Sequence, residues 1–159
     1  MNIKRLLSMV LVIVWMVIVF YFSHQQGEGS GNLSRNIAIK TIEIIDIRKN
    51  IAEESKKEII KVLEPIIRKL AHLSIYIVGG MLICNCVMQF ISKDVISIML
   101  SSLIGITYAL SDDVHQLFVA GRSGNIKDVV IDSLGVFIGV FTYLLIIRII
   151  DKFRANSVD

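Results

Sequence analysis

The sequence predicts an all-α fold: a four-helix transmembrane bundle with amphipathic helices in the long loop between spans one and two. Three observations predict it. Hydrophobic residues make up 54% of the 159 residues and charged residues only 19%, against roughly 25% charged in an ordinary soluble domain. Mean hydropathy is +0.68. Four stretches have the length, about 17–25 apolar residues, that carries a helix across a bilayer core. Backbone groups in lipid must be paired within their own segment, so these spans are helices rather than strands. The same composition argues against an aqueous globular enzyme. High apolar content with a net charge of only +3 argues against disorder. Seventeen Lys and Arg are nearly matched by 14 Asp and Glu and form no long basic stripe, so no nucleic-acid partner is expected. Ten Gly, one Pro and two Cys fit neither a collagen-like chain nor a disulfide scaffold. The length fits one domain over residues 1–159.

The first span, residues 6–22, is apolar apart from Ser8. Lys4 and Arg5 precede it as they would a secretory signal. The run is longer than a signal's apolar core, however, and Phe22-Ser23-His24-Gln25 offers no small-x-small cleavage site, so the span reads as an uncleaved anchor. Next comes Gly27-Glu28-Gly29-Ser30-Gly31, which reads as a flexible connector. In residues 32–67, Ile37, Ile42, Ile44, Ile45, Ile47 and Ile51 mix with Arg35, Lys40, Arg48 and Lys49. Ile59, Ile60, Val62, Leu63, Ile66 and Ile67 then mix with Lys56, Lys57, Glu58, Lys61 and Glu64. Both pieces read as amphipathic helices, either lying on the outer leaflet or capping the bundle, or packed on each other over it. Pro65 is expected to end or kink the second.

The second span, residues 70–91, and the third, 95–111, contain no charged residue. The fourth, 129–147, is apolar apart from Asp132, Ser133 and Thr142. Four spans put Lys4, Arg5, Lys93, Arg148, Lys152 and Arg154 on one side, which the positive-inside rule makes the cytoplasm. The expectation is a multi-pass plasma-membrane protein with both termini cytoplasmic. Loops 23–69 and 112–128 then face outward. The first of these carries basic residues of its own, but it is long and also acidic, and long loops count for less.

The polar residues near span ends fall together. Ser23 and Gln25, Arg68, Lys69 and His72, Asp112, Asp113, His115, Gln116 and Arg122, and Asp128 and Asp132 all lie at the outer end in this topology. Arg68, His72 and Tyr76 follow at i, i+4 and i+8 and share one helix stripe. Asp112 pairs by spacing with His115 and Gln116. Asp128, Asp132, Gly135 and Gly139 form another stripe, and Gly135-x-x-x-Gly139 is a small-x-x-x-small pattern that permits close helix approach. Asp132 lies about one turn inside its span, where facing lipid would cost about 2.5 kcal/mol or more, so it is expected to face the bundle and find a cation. Arg122 is the first choice, ahead of Arg68 and His72.

Several chemistries fit these residues. His72, Asp112, Asp113 and His115 are the acid–base candidates, since His titrates near neutrality. Two Asp with a His and a Gln could hold a divalent cation, but no ligand spacing of fixed form is present and no metal site is assigned. No Gly-x-Ser-x-Gly nucleophile elbow occurs. A polar network that serves packing alone is the competing account. Cys84 and Cys86 sit two apart in mid-span and read as small core residues.

Four blocks of the chain resemble, in order, those of the VanZ-like membrane proteins, named after the accessory teicoplanin-resistance protein. Phe22-Ser23-His24-Gln25 is similar to Phe-Ser-x-Gln. Arg68-Lys69-Leu70-Ala71-His72 with Tyr76 is similar to Lys-x-x-His-x-x-x-Tyr. Asp112-Asp113-Val114-His115-Gln116 followed by Gly121-Arg122 is similar to Asp-Glu-x-x-Gln…Gly-Arg. Asp128, Asp132, Gly135 and Gly139 resemble the closing Asp-x-x-x-Asn/Asp-x-x-Gly block. Asp113 replaces the usual Glu, and Ala120 the usual Pro before Gly-Arg. The resemblance itself implies little chemistry; the leading expectation is a small envelope protein whose site meets an amphiphilic ligand at the outer leaflet. That ligand is a lipid-linked wall precursor, a lipid head group or a lipoglycopeptide such as teicoplanin, with membrane lipid as the surrounding partner. Arg68, Lys69 and Arg122 would attract its phosphate or carboxylate. His72, Asp112, Asp113 and Gln116 would hydrogen-bond it or orient those cations, with Ser23, Gln25, Tyr76, Asp128 and Asp132 beside them. Two alternatives stand: an intramembrane enzyme acting on an envelope lipid through the Asp/His cluster, and a structural or regulatory partner of another membrane protein. No cofactor is named by the sequence, and a homo-oligomer stays open. No internal repeat of the transporter kind is present.

Overall fold

The computed structural model describes residues 2–24, 27–49, 52–91, 94–119 and 126–156. Five helices follow one another: α1 (Ile3–His24), α2 (Gly27–Lys49), α3 (Glu53–Met88), α4 (Asp94–Gln116) and α5 (Ile126–Asn156). The described residues contain no strand. α1, α3, α4 and α5 are long and apolar enough to cross a membrane, as the four apolar runs require.

α3 is the centre, packed against each of the other four helices. The core joins Trp15 and Val19 of α1, Tyr76, Ile83, Cys84 and Val87 of α3, Ala109 of α4, and Val136, Val140 and Leu144 of α5. Leu7, Val17, Leu103, Leu134, Phe141 and Leu145 remain exposed, the arrangement expected where acyl chains replace water as the solvent. Lipid gives no hydrophobic drive for helices to associate, so close packing and interhelical hydrogen bonds hold the bundle. A Cβ on Gly135 would sit 2.8 Å from the Leu73 carbonyl oxygen, and one on Gly139 would run into that of Ile77. The small-x-x-x-small stripe therefore seats α5 on the backbone of α3. Gly80 meets the Val136 carbonyl in return, and the Trp15 ring covers Gly79. A second small stripe on α4, buried Ser97, Ser101, Gly105 and Ala109, escaped the sequence reading although its four-residue repeat is plain. Three polar side chains bond across the spans: Trp15 Nε1–H donates to the Ile75 carbonyl (2.9 Å), Tyr108 to that of Met16 (2.6 Å) and Tyr143 to Asn85 Oδ1 (2.8 Å).

At one end of the bundle the Arg5 guanidinium lies 5.1 Å from the Phe90 ring centroid, and Arg148 meets Asp94 at 3.3 Å. The start of α1, the α3–α4 connection and the α5 tail are thus gathered at one end, as the charge pattern requires; Lys93 lies outside the described residues.

The loop between the first two apolar runs departs from expectation at two points and decides between two alternatives at a third. The Gly27–Gly31 run is the first part of α2, not a connector. The two amphipathic pieces pack on each other: Ser34, Ala38 and Ile42, spaced four apart on α2, are buried, and α2 packs on α3. Such packing of one face outweighs the roughly 1 kcal/mol cost of each helical Gly. Lastly, Pro65 neither ends nor separates a helix. It lies inside α3, whose 36 residues span about 54 Å at 1.5 Å each. A helix-interior proline costs about 3 kcal/mol; here both halves are anchored, the first on α2 and the second in the bundle core.

The far end of this hairpin is tied by Lys56, which bridges Asp46 and Glu53. Hydrogen bonding to Asp46, then to Glu53, holds the Lys56 ammonium above its ordinary pKa. A raised folded-state value adds stability below the ordinary lysine range, lost as pH climbs through the folded value. Limited proteolysis is expected to show the hairpin protected at neutral pH and cut faster in strong alkali, with Lys56→Ala already faster at neutral pH.

Candidate functional site

Helical spacing builds the site. On α3, Arg68, His72 and Tyr76 stand one turn apart on one face, and all three line a cleft of about 240 Å³. The end of α1 adds Val19, Phe22 and Ser23; the start of α2 adds Leu33, Ser34 and Ile37; the end of α4 adds Asp112. The walls are therefore mostly apolar, and the polar groups concentrate on α3 and at the floor.

Asp112 is only 4% exposed. Its Oδ2 accepts hydrogen bonds from Tyr76 Oη (3.3 Å) and Gln116 Nε2 (3.0 Å). Its Oδ1 has no partner among the described residues, and neither does Ser23 Oγ. Buried polar atoms are rarely left so, and both residues line the cleft. Asp132, 3% exposed, reaches His72 instead: the Nδ1–Oδ2 separation is 3.7 Å, too long for a hydrogen bond and short enough for an ion pair when His72 is protonated. Asp132 does turn into the bundle, as its depth demanded. Its expected first partner, Arg122, lies outside the described residues, as does Gln25.

Other candidates fall elsewhere. His115 stacks on Phe20 (4.5 Å between centroids) and on His24 (5.5 Å), with His24 Nδ1 and His115 Nε2 3.3 Å apart. Neither His115 nor the half-buried Asp113 lines the cleft. The same holds for exposed Lys69 and half-buried Asp128. Among the described residues no three His, Cys, Asp or Glu side chains come together as metal ligands. Cys84 is buried in the core and Cys86 half-buried, both as free thiols. The sequence reading missed the α2 wall and the His24–His115 pair. The i, i+4 spacing of Leu33 and Ile37 was visible, but nothing local says which helix they face.

The arrangement can hold an amphiphile: apolar walls for a chain, a guanidinium for an anion, and free acceptors for a donor. A model of the VanZ/LLP1 family matches residues 8–148, most of the chain. No curated protein and no solved structure matches it.

Proposed function

Because the chain belongs to the VanZ/LLP1 family, we propose that it is a cell-envelope membrane protein that binds an amphiphilic ligand at the outer leaflet. The ligand is a lipid head group, a lipid-linked wall precursor or the tail of a lipoglycopeptide such as teicoplanin, and binding contributes to glycopeptide resistance. One observation carries this reading: Ser23, Arg68 with His72 and Tyr76, and Asp112, from three separated stretches of sequence, line one apolar-walled cleft. A fourth stretch backs it through Asp132. Orientation follows from the basic residues at the opposite end and is tested by reporter fusions, which are expected to place residues 112–128 outside.

Arg68 supports the reading most directly, since a charge-assisted bond to an anion contributes about 1.5–3 kcal/mol. Arg68→Ala is expected to weaken ligand binding about ten- to a hundredfold and to abolish any gain in teicoplanin tolerance at unchanged membrane levels. Full binding and tolerance in that variant would remove the reading.

A second reading is favoured by His72 in the cleft lining, an acid–base group with the Asp132 carboxylate 3.7 Å away. Turnover of an envelope lipid by purified protein, lost in His72→Gln, would establish an intramembrane enzyme; no product from total envelope lipid would reject it.

A further inference from the structure

We infer that the head group this cleft takes carries a primary ammonium next to a phosphate, as an ethanolamine phospholipid does, with the ammonium at the floor and the phosphate at Arg68. This rests on the ligand-binding reading above and narrows it.

The floor decides the first half. Tyr76 Oη–H and one Nε2–H of Gln116 donate to Asp112 Oδ2. Among the described residues, the carboxylate oxygen Oδ1 of Asp112 and the Ser23 Oγ hydroxyl, which line the same cleft, have no hydrogen-bond partner. An ionised carboxylate only accepts, so the group that completes the floor must donate. A buried anion is best met by a cation that also hydrogen-bonds, which is what a primary ammonium supplies.

The rim decides the second half. Arg68 is exposed, lines the same cleft and stands two turns along α3 from Tyr76, about 12 Å at 1.5 Å per residue. A guanidinium has donors and no acceptor, and its fork matches a phosphate. The cleft thus presents a negative floor and a positive rim in one apolar sleeve, where Phe22, Leu33 and Ile37 can flank a chain. Size sets the scale: about 240 Å³ falls below the roughly 300–1,000 Å³ of pockets that engulf drug-sized ligands. It admits a small head group rather than a whole sugar–peptide precursor. A choline head has the cation without an N–H, and a glycerol head has hydroxyl donors without the cation, so these two lipids isolate the two requirements.

The test titrates the full-length protein in detergent with short-chain phosphatidylethanolamine, phosphatidylcholine and phosphatidylglycerol, and with soluble phosphoethanolamine, counting bound molecules by native mass spectrometry. The ethanolamine lipid is expected to bind about tenfold more tightly than the other two, and more tightly than free phosphoethanolamine. Asp112→Asn is expected to erase the preference, and Ser23→Ala to reduce it several-fold. Among the described residues the serine side chain makes no hydrogen bond whose loss could unfold the chain, so it serves if the aspartate variant fails to fold. Arg68→Gln should weaken all three lipids in parallel and leave their order unchanged. Equal binding of the three lipids, or a preference that survives both floor variants, overturns the inference and leaves ligand binding standing. Free phosphoethanolamine binding as tightly as the lipid overturns the lipid as the source. Absence of saturable binding by any amphiphile, teicoplanin included, removes both readings.

Discussion

Gly139→Leu is expected to prevent α5 from seating on α3 and to leave little folded protein. Even a Cβ at this position would meet the Ile77 carbonyl carbon and oxygen and come within 3.0 Å of the Met81 amide nitrogen. These are backbone atoms of the central helix and cannot swing aside as a side chain would. Overpacking costs about 1–3 kcal/mol where neighbours can adjust; here the cost lies at or above about 3 kcal/mol, a large share of the roughly 5–15 kcal/mol by which proteins are stable. Size-exclusion profiles in detergent would show aggregate in place of a monodisperse peak. Ile138→Leu, on the neighbouring exposed position, is the control expected to behave as wild type. A monodisperse, thermally normal Gly139→Leu protein would mean that the α3–α5 contact is not the close backbone approach described above.

His72→Ala is expected to destabilise the folded protein by about 2–3 kcal/mol. The substitution takes away the imidazole recorded beside Asp132, whose Oδ1 lacks a partner among the described residues. A carboxylate in an apolar interior then has less to offset its desolvation. Losing one member of a buried pair costs more than losing both, so His72→Ala/Asp132→Ala is expected to recover part of the loss. Thermal melts of the two single variants and the double variant form a cycle that isolates the coupling. A double variant whose loss equals the sum of the two single losses would show that the pair is not coupled.

Much of this molecule was legible before its structure. Apolar runs located the membrane-crossing helices because a bilayer imposes a length and a composition on whatever spans it. The i, i+4 rule placed Arg68, His72 and Tyr76 on one stripe, and they share one cleft. It also marked Gly135 and Gly139 as a close-packing face. The depth of Asp132 foretold that it would turn inward. Local rules misjudged residues 27–69. A run of glycines and a proline are strong breakers in isolation, yet α2 begins at Gly27 and α3 runs through Pro65, because each segment is held along its length by a partner that local propensity does not include.

Hydropathy and helical period are properties of consecutive residues, and they suffice for an all-helical membrane protein with its scarce polar side chains near the ends of the apolar runs. That α2 walls the cleft, that His72 stands beside Asp132, and that His115 pairs with His24 outside it came from the packing of the helices. Those choices depend on which helix lies against which. One apolar stripe presents nearly the same surface as another, so the selection is made by the fit of glycines, serines and aromatic rings across the interface.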